Sequence, residues 1–136
     1  MESTDSSVQL DVQSVAPKET NAFQTKGVLR MRLYIIGPVS GHENDNIDAF
    51  GEARDRLKAA GHKATIPHEK IPAGTPWRQA MRMSIRELLS LWKGEPRYDG
   101  VAELPGVFGS KGARCERGIC EQLGIPHKPV DEWING

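Results

Sequence analysis

The sequence predicts an α/β fold of three layers, a parallel sheet of about four to five strands with helices packed on both faces. Three observations carry that prediction. Short apolar runs alternate with longer segments whose apolar residues recur every three or four positions, in the order βαβ-α-β-α-β. The runs are closed by glycine or proline. The chain has 136 residues, which allows one sizeable core and no more. In such a sheet, of the Rossmann/flavodoxin-like kind, ligands bind beyond the carboxyl ends of the strands where the strand order reverses.

Residues 1–27 are rich in Ser, Thr, Gln and acids with no sustained apolar period, and are expected to form a disordered tail. The folded domain is expected over 28–136. Leu29 to Ile36 ends in a dense apolar run before Gly37-Pro38 and reads as a buried first strand. A helix is expected from about Asp45 to Ala60, with Ile47, Phe50, Ala53 and Leu57 inward and Gly61 as its stop. Lys63 to Ile66 is a short second strand. Thr75-Pro76 reads as a cap followed by a first-turn proline, opening a helix that runs to about Trp92. Tyr98 to Leu104 is a third strand. A Gly-rich loop then leads into a helix from about Ser110 to Leu123, with Gly118 expected to mark a close approach and Gly124 the end. Ile125 to Val130, interrupted by Pro126 and Pro129, is a last short strand expected towards an edge.

Lys plus Arg number 18 and Asp plus Glu number 18, a balance that argues against a protein built to grip a nucleic-acid polymer. Cys115 and Cys120 form neither a disulfide framework nor a metal pair, and His42, His62, His68 and His127 lack ligand spacing, so no metal is expected. No run approaches the length of a membrane span and no signal-peptide core is present, which makes a cytoplasmic protein the expectation.

The informative residues are polar ones at helix positions that should be apolar. Ala113, Glu116, Cys120 and Leu123 share one stripe, so Glu116 is a carboxylate facing the sheet. Two readings stay open: a buried group held by partners or a ligand, or a stripe-edge Glu reaching solvent or pairing with Arg86, Arg114 or Arg117. Met81, Ser84, Leu88 and Leu91 repeat the spacing, which turns Ser84 inward, where it could satisfy itself on its own helix. Ser110, Lys111 and Gly112 stand at a helix N-terminus, whose free N–H groups and positive end suit an anion; an ordinary Ser cap with solvated basic residues is the alternative. Tyr34, near the end of the first strand, is either core or sends its hydroxyl into the site.

MRLYIIGPVSG, then RLKAAGH, then LPGVFGSKGARCERGICEQLGIP, together resemble the small phage and bacterial domains related to nucleoside 2-deoxyribosyltransferases, from about Met31 to Val130. The resemblance implies N-glycosidic chemistry on a nucleoside or its monophosphate, without metal or organic cofactor. It implies Glu116 as nucleophile and Tyr34 as the residue orienting the carboxylate. Ser110, Lys111 and Gly112 would hold the sugar 5′ group or phosphate, and Gly37, Pro38 and Ser84 would shape the pocket. It also implies a homo-oligomer in the cytoplasm of a bacterium or phage-infected host, with Trp92 and Trp133 as interface candidates. One departure matters: the related proteins usually carry, where this chain has Ser84, an Asp that protonates the departing base. Val107 likewise stands where a Trp is usual.

Three functions are therefore weighed. The first is cleavage or transfer at an N-glycosidic bond through Glu116. The second is a nucleotide-binding module, sensing or sequestering, with weak or lost chemistry. The third is an interaction protein working through its tail.

Overall fold

The apolar run ahead of Gly37-Pro38 becomes strand β1, Arg32–Ile36, in the computed structural model, which describes residues 29–136. The tail expected over 1–27 lies outside the described residues. Side chains along β1 alternate across the sheet: Leu33 and Ile35 face one core, Tyr34 and Ile36 the other. Helix α1, Ile47–Ala59, follows, and buries Phe50, Ala53 and Leu57 as their spacing predicts. Strand β2, Lys63–Thr65, pairs parallel to β1. Helix α2, Trp77–Leu88, leads to a two-stranded antiparallel hairpin, β3 Leu91–Trp92 and β4 Glu95–Pro96. Strand β5, Gly100–Glu103, lies on the other side of β1, with Glu103 opposite Ile36. Helix α3, Lys111–Leu123, strand β6, His127–Pro129, and helix α4, Val130–Asn135, complete the domain.

The main sheet has four parallel strands in the order β2-β1-β5-β6, the Rossmann/flavodoxin-like α/β arrangement. α1 and α4 pack on the face of Leu33 and Ile35; α2 and α3 pack on the face of Tyr34, Ile36 and Val101. The chain steps from β1 out to β2 and then returns past β1 to β5. The strand order thus reverses between β1 and β5, which opens a crevice beyond their carboxyl ends. The proline-bearing β6 is an edge strand, where missing ladder donors cost least.

Several details differ from the sequence expectation. Helix α2 stops at Leu88 instead of Trp92, because Lys93 (φ 54°) and Gly94 (φ 83°) make the tight turn of the β3–β4 hairpin. Thr75 does not cap α2: its Oγ1 donates to the Pro72 carbonyl at 2.6 Å, and Pro76 itself occupies the cap position. Trp133 is buried, not an exposed interface residue. Its Nε1 donates to the Val101 carbonyl at 2.9 Å, and its ring lies where a Cβ on Gly100 would come within 2.9 Å. Gly118 marks no close approach, since a Cβ there would meet nothing within 4 Å. Among the described residues no helix is long and apolar enough to cross a membrane.

Candidate active site

A cavity of about 480 Å³ occupies the crevice beyond β1 and β5, within the usual range for small-ligand pockets. Ile36, Gly37 and Pro38 line it together with the loops after β1 and β2, the stretch of α2 from Trp77 to Ser84 and the N-terminal half of α3. Gly37 is there for packing: a Cβ on it would stand 2.8 Å from the Leu104 side chain, so only glycine lets the ends of β1 and β5 close together.

Glu116 lies one turn into α3, 6% exposed, and lines this cavity. It makes no ion pair with Arg86, Arg114 or Arg117. Arg117 instead binds the buried Glu103 at 2.7 Å, and Arg114 donates to the Phe108 carbonyl at 2.8 Å. Its partner is Ser84 of α2, whose Oγ donates to Glu116 Oε2 at 2.5 Å. Ser84 Oγ lies 2.8 Å from Tyr34 Oη; since the Ser84 proton goes to Glu116, the phenol donates to Ser84. Tyr34 reaches the carboxylate through Ser84, which stands between them. Ser84 does not satisfy itself on its own helix.

Burial pushes the Glu116 carboxyl up to about 7, against the Ser84 hydrogen bond, which favours the charged form. Burial also raises the Tyr34 phenol well above its ordinary range, so at neutral pH it remains a donor. No second hydrogen bond to the carboxylate is found among the described residues. Because Glu116 borders the cavity, that acceptor capacity is open to a ligand or to water.

Ser110 caps α3 by accepting from the Ala113 N–H at 3.2 Å and also lines the cavity. Lys111 reaches across to α2, its Nζ 4.7 Å from the centre of the Trp77 ring. Gly112 has a packing reason of its own. A Cβ there would lie 2.9 Å from Met81 Sδ and 3.8 Å from Trp77 Nε1, so these α2 side chains pack directly on its bare backbone.

Seven of the eight residues singled out from the sequence, Gly37, Pro38, Ser84, Ser110, Lys111, Gly112 and Glu116, therefore border one cavity. Tyr34 sits behind it with no exposed surface.

His42 and His68 border the cavity from the loops that the sequence places at the binding edge, and Asp45 and Trp77, which sequence reasoning did not single out, border it too. His68 donates through Nε2 to the Asp45 carbonyl at 2.7 Å and packs on Phe50 with ring centres 4.8 Å apart. The loop is unusual in its backbone: Asn44, Asp45 and Asn46 are all left-handed, with φ of 50°, 55° and 62°. Asn46 Nδ2 ties it to the Pro38 carbonyl at 2.8 Å. The only signal for this was the cluster of Asn and Asp, the residues that tolerate that conformation. Among the described residues, no group of three or more His, Cys, Asp or Glu side chains is arranged to hold a metal ion.

The family model described as Domain of unknown function (DUF4406) matches residues 31–128, which take in strands β1 to β5, the first two residues of β6, helices α1 to α3 and every residue of this cavity. No curated protein and no solved structure matches the chain.

Proposed function

The chain belongs to the Domain of unknown function (DUF4406) family, and from that premise we propose that its cavity cleaves or transfers at the N-glycosidic bond of a nucleoside or nucleoside 5′-monophosphate, with Glu116 as nucleophile. The observation that carries this reading is the buried carboxylate of Glu116, held on one oxygen by Ser84, at the switch point of a parallel sheet and bordering a cavity of ligand size. A nucleophilic carboxylate has to be ionised and fixed in orientation, and Glu116, raised to about 7, is ionised from about neutral pH upward.

In the proposed reaction a Glu116 oxygen bonds to the anomeric carbon as the bond to the base nitrogen breaks, and that electron pair leaves with the base. The base takes a proton from solvent. Water then attacks the same carbon, the ester to Glu116 breaks with its electron pair returning to the carboxylate, and the proton of the water goes to solvent. Where a second base attacks in place of water, the outcome is transfer. Lys111 and the N-terminus of α3 favour a substrate bearing negative charge near the sugar 5′ position.

The test is free-base release from a panel of nucleosides and 5′-monophosphates by the wild type and by Glu116→Ala. Release that disappears in the variant supports the reading. Ser84, a poor proton donor to a departing base, favours a second reading: a nucleotide-binding module with little turnover. Absence of release across the panel, together with calorimetric binding of a nucleotide, would establish that second reading and remove the first.

A further inference from the structure

We propose that Ser84 is the positioning residue of this site, fixing one oxygen of Glu116 so that the other is presented to the cavity, and that Tyr34 acts on Glu116 only through Ser84. The inference rests on the proposed role of Glu116 as nucleophile, but its geometry stands apart from any substrate. Three side chains from three elements form one directed chain: Tyr34 Oη of β1 donates to Ser84 Oγ of α2 at 2.8 Å, and Ser84 Oγ donates to Glu116 Oε2 of α3 at 2.5 Å. All three are buried.

With Glu116 ionised, the chain has only one direction available. The phenol can donate and does so at neutral pH, a hydroxyl passes on the donation by giving its own proton, and an ionised carboxylate can only accept. Each link also polarises the next, which strengthens the last bond. The Tyr34 ring is itself held, packed at a tilt on Tyr98 with ring centres 5.2 Å apart. The carboxylate therefore cannot turn freely: one oxygen is occupied on the α2 side, and the other has no protein partner among the described residues.

Beside this chain, Gly112 lies one turn before Glu116 and meets the side chain of Met81, one turn before Ser84. The gap between α2 and α3 is one that a side chain as short as serine spans. A longer acid at position 84 would have to fit the same space against Glu116.

Other charged or titratable groups near Glu116 are Tyr34 on β1, Cys120 and Lys111 on its own helix, and His42, Asp45 and His68 across the cavity. From α2 it is met by the neutral Ser84. Loss of the Ser84 hydroxyl therefore removes a bond that favours the charged carboxylate and adds no compensating charge.

The experiment follows the ionisation of Glu116 in the full chain by carbon-detected NMR of labelled glutamate, in wild type, Ser84→Ala, Tyr34→Phe and the double variant. Glu116→Gln identifies the signal. Base release against pH is measured in parallel. Ser84→Ala is expected to move the Glu116 midpoint upward by about one pH unit, the scale of one lost hydrogen bond to a charged group. Tyr34→Phe is expected to move it upward by less, and the double variant to match Ser84→Ala alone. The acid limb of the rate profile should shift by the same amounts.

An unmoved midpoint in Ser84→Ala would overturn the proposal. So would a double variant displaced further than Ser84→Ala, because Tyr34 would then act by a second route. Should Ser84→Ala not fold, Tyr34→Phe decides alone, and an unchanged midpoint there overturns the relay. A wild type that releases no base while its midpoint responds as described would remove the nucleophile role and leave the positioning of Glu116 by Ser84 standing.

Discussion

His62, against the sheet face covered by α1 and α4, and Glu116, on the face covered by α2 and α3, are both almost closed off from solvent. They are satisfied in different ways. The Met31 N–H donates to His62 Nδ1 at 3.1 Å, which leaves the proton on Nε2 to be given to the Trp133 carbonyl at 3.1 Å. Both ring nitrogens are thus spent on main chain, tying the start of β1 to α4. Glu116 has one oxygen on another side chain and borders a cavity. A buried polar group whose valences are all taken by backbone is a structural fastener. One left with capacity facing a cavity is a candidate for chemistry.

Substitutions at the two positions should separate stability from activity. The largest effect expected is on turnover: Glu116→Gln should lower base release by at least about 10³-fold, the scale on which covalent catalysis depends on its nucleophile. His62→Ala should leave release per folded molecule unchanged, measured on the same substrates.

The next effect runs in the opposite sense for stability. The Glu116 carboxyl is raised from 4.5 to about 7 by burial, so the folded state takes up a proton between those values. Its contribution to stability is complete below about pH 4.5 and declines as pH rises through about 7. Glu116→Gln, which cannot ionise, should therefore be more stable than wild type at pH 8 by up to about 3 kcal/mol, and nearly equal at pH 4.5. Urea denaturation at the two pH values checks this. A variant less stable at pH 8 would place Glu116 among the fasteners.

His62→Ala leaves an amide and a carbonyl without partners and should cost about 2 kcal/mol. Urea denaturation at pH 7 measures it. The smallest effect belongs to Gly112→Ala. Met81 Sδ is near the end of a flexible side chain and can yield, and alanine gains helix propensity, so stability should change by less than about 1 kcal/mol. Base release should change by less than about twofold, because the Met81 side chain gives way and the α2 backbone stays in place. A tenfold fall would mean that α2 itself moves away from Glu116.

The sequence carried much of this. The stripes through Glu116 and Ser84 turn both side chains to the same face, and the 3.6-residue period is enough to read that. Period alone cannot say that two stripes meet. The contact between Ser84 and Glu116 depends on how closely two helices pack, which the period of neither stripe encodes. The strands around Tyr34 and Val101 were legible because apolar runs before Gly or Pro are strong signals.

The end of α2 was not legible. Leu88, Leu89, Leu91 and Trp92 continue a helical spacing, and only the Lys93-Gly94 turn breaks it. Helix α4 is six residues long, too short for a period to show. Glu103 was read as part of a plain strand. Its burial depends on Arg117 and His127, each 2.7 Å away and each from a later element.

The left-handed turn at Asn44, Asp45 and Asn46 has a consequence for how freely this surface can vary. Exposed positions are ordinarily the permissive ones in a library of single substitutions. Here Asn44 and Asp45 are exposed, yet a left-handed backbone costs most residues about 1–2 kcal/mol at each position. Such a library should therefore accept Gly, Asn and Asp at these sites and disfavour Val and Ile. This solvent-facing rim is more selective than an ordinary surface.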